Sequence, residues 1–132
     1  MKLLTDDIGK LILRLTLGVL LLLHGIAKVT SPEPVAGIGK GLASKGLPEF
    51  IAYGVYVGEV LAPLMMIVGI FTRIAGVLTV GNMIFAIFLV HSHQLFMLTK
   101  NGGWQLELQG FYLLCGLALV FLGSGKIAAR PD

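Results

Sequence analysis

Six side chains that can ionise or form strong hydrogen bonds lie inside stretches that are otherwise almost entirely apolar. They are Arg14, His24, Glu59, Asn82, His93 and Glu107. An ionisable group in a membrane segment costs several kcal/mol, so it usually has a partner and often a function. These six residues are therefore the first candidates for chemistry.

The apolar stretches that contain them cover residues 8–28, 50–70, 73–93 and 105–124. Each is long enough to cross a bilayer, because a hydrocarbon layer of ~30 Å needs about 20 helical residues rising ~1.5 Å each. The composition agrees, since 56% of the residues are hydrophobic and the mean hydropathy is +0.91. The sequence thus predicts an all-α, four-helix transmembrane bundle that forms a single domain over residues 1–132.

Proline and glycine positions divide the chain further. Pro32 and Pro34 end the first helix, and residues 34–45 place Val35, Ile38 and Leu42 on one face. This pattern predicts a short amphipathic helix at the membrane surface, between the first and second spans. Pro63 is expected to kink the second span, and the 18 glycines lie mostly inside helices, which favours close helix packing.

The net charge of +3 does not indicate nucleic-acid binding, because the ten Lys and Arg residues are scattered singly at helix ends. With cytoplasmic termini, the cytoplasmic side receives Lys2, Lys10, Arg14, Arg73, Lys126 and Arg130, and the other side receives Lys28, Lys40, Lys45 and Lys100. Six cations against four favour this orientation under the positive-inside rule. The first stretch could resemble a secretory signal, but Asp6 and Asp7 and the lack of a clear cleavage site favour a retained helix.

Depth and helical face group the polar residues. Counting ~1.5 Å per residue places Arg14, Asn82 and Glu59 near the middle of the membrane, and His24, Lys28, His93 and Glu107 nearer its outer side. At 100° per residue, Arg14, His24 and Lys28 share one face of the first helix. The sequence therefore predicts inward-facing polar surfaces that meet in one pocket.

Glu59 is the leading candidate, because a carboxylate at mid-depth must pair with a cation or keep its proton. Arg14 is the first expected partner and His24 the second. Either Glu59 forms a structural ion pair between the first two helices, or it accepts protons or binds a ligand in a pocket. Glu59 and His24 are the predicted catalytic residues, and the predicted ligand-binding residues are Arg14, Lys28, Asn82, His93 and Glu107.

Several of these residues also have structural interpretations. His24 can be a satisfied interior histidine and Lys28 an interfacial anchor, whereas Asn82 can join helices by a hydrogen bond. The two histidines and a carboxylate have no metal-ligand spacing, so no metal site is predicted. The single cysteine, Cys115, excludes an intrachain disulfide and is expected to be an apolar filler.

The pattern as a whole resembles the DoxX family of small four-helix membrane proteins. The resemblance runs through Arg14-Leu-Thr-Leu-Gly18, His24-Gly25-x-x-Lys28, Gly46-x-Pro48, Gly58-Glu59, Gly69-x-x-Thr72-Arg73, Ala86 and Glu107. It implies a bacterial inner-membrane protein linked to redox chemistry, since the family takes its name from a subunit of a thiosulfate:quinone oxidoreductase. The recurrent polar positions of the family would correspond to Arg14, His24, Lys28, Glu59, Arg73 and Glu107. With one cysteine and no soluble thiosulfate-handling portion, sulfur oxidation by this chain alone is not expected.

Three functions follow as expectations. The first is a quinone-interacting redox protein, or a subunit of a membrane oxidoreductase, whose electrons come from a partner or a bound cofactor. The second is a non-catalytic assembly subunit in which the polar residues only stabilise the bundle. The third is a small-solute or proton pathway, which would require the chain to form a homo-oligomer.

Overall fold

Five helices account for most of the chain. The computed structural model describes residues 2–90 and 92–132, and side chains within 5–88 and 92–132. The helices are α1 (Lys2–Thr30), α2 (Glu33–Ser44), α3 (Glu49–Val68), α4 (Thr72–Phe85) and α5 (Glu107–Leu122). The all-α bundle predicted from the sequence is confirmed, with α2 as the short helix between the first two long ones.

The outer surface of the bundle is apolar. Large exposed side chains cover every long helix, among them Ile12, Leu23, Leu64, Val77 and Phe111. Water-soluble monomers rarely leave such extensive apolar surface uncovered, so the bundle is a membrane protein. By length and composition, Thr5–Thr30 and Glu49–Val68 are each sufficient to cross a bilayer, whereas Thr72–Phe88 and Glu107–Leu122 are shorter apolar helices than predicted.

The amphipathic helix α2 folds back onto α3. Its Val35 and Leu42 are buried against Ala52 and Val55 of α3, while Lys40 on the opposite face is exposed. Pro34 lies in the first turn of α2, where its missing N–H has no helical partner to lose. The expected amphipathic pattern therefore produces a helix that covers one end of the bundle.

The winding of α3 changes along its length. It begins as a 3₁₀-helix (Glu49–Tyr53), passes through a short α-helical turn to the π-helical segment Val57–Leu61, and continues as α-helix over Ala62–Val68. Pro63 provides the physical reason, because in a regular α-helix its ring would clash with the carbonyl of Glu59 and it has no N–H to donate. The wider π-turn, in which the Ala62 N–H donates to the Val57 carbonyl, accommodates this proline.

Glycines allow the helices to approach closely. A Cβ atom on Gly76 of α4 would lie 2.6 Å from the carbonyl oxygen of Gly116 on α5. On α3, a Cβ on Gly58 would overlap the Cβ of Asn82, whereas Gly54 has open space around it. The small-residue pair Gly54-x3-Gly58 therefore brings α3 and α4 together through Gly58 alone.

Residues 123–132 fold back across the end of the bundle that also contains the start of α1. The backbone N–H groups of Ala129 and Arg130 donate to the carbonyls of Val68 and Gly69, at 3.1 and 3.0 Å. The N–H of Lys126 donates to the carboxylate of Asp7 at 3.1 Å. The described N-terminal and C-terminal segments consequently lie at the same end of the bundle, opposite α2.

Arg73 caps the C-terminal end of α5 from α4. Its Nη1 donates to the carbonyls of Val120 and Phe121 at 2.8 and 2.9 Å, where the helix has unpaired acceptors and partial negative charge.

Because Arg73 is exposed, we expect Arg73→Ala to lower the free energy of unfolding by only about 1 kcal/mol. Thermal unfolding in mild detergent measures this change against Lys100→Ala, which removes an exposed cation from a loop; equal effects would contradict the capping role.

Candidate functional site

A cavity of about 110 Å³ lies in the half of the bundle nearer α2. All five helices contribute to its wall. Its lining is mostly apolar. The polar groups in it are the ion pair of Lys28 and Glu59, the amides of Asn82 and Gln109, the imidazole of His24 and the phenol of Tyr112. The lining residues are Leu21, His24, Lys28, Ile38, Val55, Glu59, Asn82, Met83, Phe85, Ala86, Leu108, Gln109 and Tyr112.

The carboxylate of Glu59 is the centre of the polar wall. Glu59 is only 5% exposed, and its two oxygens have different partners. The ammonium group of Lys28 forms an ion pair with Oε1, and the amide Nδ2 of Asn82 donates to Oε2 at 3.0 Å. Three helices, α1, α3 and α4, are thereby joined at one buried charge.

Two close approaches of the backbone fix the position of Glu59. Gly25 lies one turn before Lys28 on α1, and a Cβ on it would overlap the carbonyl oxygen of Glu59. Gly58 gives Asn82 room beside α3. Glu59 itself belongs to the π-helical segment before Pro63, and such segments are frequently found at functional sites.

A second wall of the cavity joins α1 to α5. The imidazole of His24 meets the ring of Tyr112 edge to face, with centroids 5.8 Å apart and planes at 78°. Tyr112 is buried, whereas His24 is exposed. The polar side chain of Gln109, three residues before Tyr112 on α5, also lines the cavity.

The structure separates the predicted site residues into two groups. It brings together His24, Lys28, Glu59 and Asn82 at the cavity. Glu107 is exposed at the start of α5 beside Gly103, and His93 is exposed in the 3₁₀ turn Ser92–Gln94 that follows α4. Neither residue lines the cavity.

The predicted pairing of Arg14 with Glu59 is wrong. Arg14 is 2% exposed, and its guanidinium donates to the carbonyls of Ser124 and Ile127 at 2.9 and 2.8 Å. It therefore holds residues 123–132 to α1, at the opposite end of the bundle from the cavity. Glu59 instead pairs with Lys28, which the depth estimate placed in the outer group.

Tyr112 and Gln109 are lining residues that the sequence reasoning missed. Both are polar side chains inside an apolar helix, which is itself a signal, since a buried tyrosine hydroxyl normally needs a hydrogen-bond partner. Among the described residues, no three His, Cys, Asp or Glu side chains are arranged to hold a metal ion. The groups that are present can donate hydrogen bonds to a ligand and can hold or release protons.

Comparisons with known proteins identify the family of the chain. The family model described as DoxX matches residues 9–92, which include Lys28, Glu59 and Asn82. A Bacillus subtilis protein named "Putative oxidoreductase CatD" is 32% identical over 125 residues, covering 95% of this chain and 87% of that protein. An uncharacterized protein of Haemophilus influenzae is 34% identical over 119 residues, covering 88% of this chain and 84% of that protein.

No solved structure matches the chain significantly. The family model nevertheless covers more than half of the sequence, and the Bacillus subtilis relative aligns with nearly all of it. The chain therefore belongs to the DoxX family.

Proposed function

We propose that this chain is a membrane redox protein whose cavity binds the head group of a quinone. The observation that carries the proposal is the buried carboxylate of Glu59, held by Lys28 and Asn82 in the wall of an otherwise apolar cavity. Pockets for small organic ligands typically have this character, with mainly apolar walls and a few convergent polar groups. The oxidoreductase name of the Bacillus subtilis relative supports a redox role.

The cavity has the chemistry that a quinone ring requires. Its flat apolar ring would lie against side chains such as Leu21, Met83 and Ala86, and its carbonyl oxygens would accept hydrogen bonds from donors such as Lys28 and Gln109. A volume of about 110 Å³ is smaller than the ~150 Å³ cavity that holds one benzene ring. The site would therefore have to widen to admit a quinone ring, and it does not suit a larger cofactor.

Reduction of a quinone to a quinol consumes two electrons and two protons. Glu59, Lys28 and His24 are the groups in the wall that could hold a proton and pass it to a carbonyl oxygen of the ring. The electrons would come from a membrane or soluble redox partner, or from a cofactor bound by that partner. His24 and Glu59 are thus proposed as the proton-transferring residues.

The proposed setting is the inner membrane of a bacterium. All four long helices would cross the bilayer, with both termini in the cytoplasm, because Lys2, Lys10, Arg73, Lys126 and Arg130 lie in segments at that end of the bundle. The helix α2 would then lie at the outer surface.

A quinone analogue without a tail tests the proposal. At a concentration 100 times its Kd, the analogue should stabilise the wild-type protein by about 2.7 kcal/mol in thermal unfolding. Ala86→Phe should abolish this stabilisation, because the larger ring fills the cavity from the π-helical segment that continues α4. Ile84→Phe, on the lipid-facing side of the same helix, should retain it. No stabilisation of the wild type, or equal stabilisation of both variants, would contradict quinone binding.

A non-catalytic assembly subunit is the second candidate. The observation that favours it is that Glu59 links α3 to α1 through Lys28 and to α4 through Asn82. Contacts of this kind can serve only to hold helices together. In that case Glu59→Gln would lower thermal stability or recovery of a partner protein without changing any quinone response. The Ala86→Phe experiment separates the two candidates. If the contacts of Glu59 are purely structural, filling the cavity should not disturb them.

A further inference from the structure

The exposed residues of the cavity lining indicate where a ligand would enter. Among the described residues of the lining, only His24 of α1 and Leu108 of α5 are exposed. The lining residues on α3 and α4 are buried or half-buried, including Val55, Asn82 and Phe85. The exposed part of the lining therefore lies at the side of the bundle, on α1 and α5, and we place the opening of the cavity there.

The end of the bundle nearer α2 is covered. Ile38 of α2 forms part of the cavity lining and is half-buried. On either side of it, Val35 and Leu42 are buried against α3, so α2 lies firmly on the bundle. A ligand coming from water at this end would have to displace α2.

The surface outside the opening is apolar. Leu20 lies one helical turn before His24 on α1, and Phe111 lies one turn after Leu108 on α5; both are exposed. These residues face the lipid in a membrane bundle, so the opening leads into the hydrocarbon layer. The edge-to-face contact of His24 with Tyr112 lies at this opening and joins its two sides.

We infer that the ligand is an amphiphile that enters from the bilayer between α1 and α5, with its polar head in the cavity and its apolar tail outside along Leu20 and Phe111. This inference rests on the proposed function for the identity of the head group, and the route itself does not depend on it. The cavity volume supports the division, since about 110 Å³ leaves no room for a long chain beside the head group. His24 lines the entrance and must move relative to Tyr112 when a head group passes.

Thiol labelling in liposomes tests the route without any quinone. Ala86→Cys in a Cys115→Ser background places the only thiol in the cavity wall. A long-chain N-alkyl maleimide dissolved in the bilayer should label it about tenfold faster than a charged, water-soluble methanethiosulfonate present on both sides, a difference of about 1.4 kcal/mol in barrier. The rates are normalised to Ser31→Cys in the same background, an exposed site just beyond α1.

A variant at the entrance provides the second readout. Leu108→Trp should slow labelling by the alkyl maleimide about fivefold or more, which corresponds to about 1 kcal/mol. Leu114→Trp, at an exposed lipid-facing position of the same helix outside the lining, should leave the rate within about twofold. Faster labelling by the charged reagent, or equal rates in the two tryptophan variants, would overturn entry from the lipid.

A tail-length comparison distinguishes the two proposals. Leu108→Trp should weaken binding of a quinone with an isoprenoid tail about tenfold more than binding of a tail-less analogue. If no quinone binds although the labelling pattern holds, the quinone assignment fails and the lateral route stands. If quinones bind normally but labelling comes only from water, the lateral route fails and the quinone assignment stands.

Discussion

Lys28→Met is expected to lower the free energy of unfolding by about 3 kcal/mol, near the lower end of the cost of breaking a buried ion pair. The substitution removes the cation from Glu59, whose side chain is only 6% exposed and so has little contact with bulk water to replace the pair. Asn82 would remain as its one partner in the cavity wall. Thermal or denaturant unfolding in mild detergent gives the measurement.

Glu59→Gln should cost less, about 1 kcal/mol, because a neutral amide can keep a hydrogen bond to Asn82. The side chain of Lys28 is 22% exposed and can extend its ammonium group towards the interface when its partner is absent. The double variant Lys28→Met with Glu59→Gln should therefore be more stable than Lys28→Met alone. Equal costs for the two single variants, or additive costs in the double variant, would contradict this asymmetry.

Gly25→Ala is the second substitution with a large expected effect, about 3 kcal/mol, at the upper end of what overpacking usually costs. The added Cβ would overlap the carbonyl oxygen of Glu59 and lie 2.9 Å from Cγ2 of Val60. A backbone carbonyl cannot rotate away as a side chain can, so α1 and α3 must separate. That separation should also move Lys28 away from Glu59 and reduce stabilisation by a quinone analogue.

Gly81→Ala on α4 is the matched control, because nothing lies within 4 Å of a Cβ built on Gly81. It should be neutral or slightly stabilising, since alanine is the better helix former. Gly54→Ala on α3 serves the same purpose for the helix that contains Glu59. If Gly25→Ala unfolds at the same temperature as these two controls, the close contact between α1 and Glu59 is not what positions the site.

The bundle could be predicted because its signals are local. Apolar stretches, prolines and glycines placed four long helices and α2 in the correct order, and Pro63 marked the irregular part of α3. The helix α1 begins six residues before its predicted start. The end of the third stretch differed, because α4 gives way after Phe85 to the π-helical segment Ala86–Val90. His93 consequently lies outside the helix on which its predicted face depended.

The partners of the buried charges could not be read from depth alone. Lys28 was placed near the outer surface from the position of its Cα, but its long side chain reaches back to Glu59. Arg14 has its partners in residues 123–132, an irregular segment with no periodic pattern that would locate it. Contacts between residues more than 100 positions apart need the tertiary fold.

Binding of a quinone ring in the cavity beside Glu59 can be observed in a high-resolution density map of the protein with a tail-less quinone. We expect flat density between Tyr112 and Ala86, with a carbonyl oxygen within hydrogen-bond distance of Lys28 or Gln109. The same map of Ala86→Phe should lack this density. A saturated sample in which the cavity stays empty, or in which the ring binds elsewhere on the bundle, would contradict the claim.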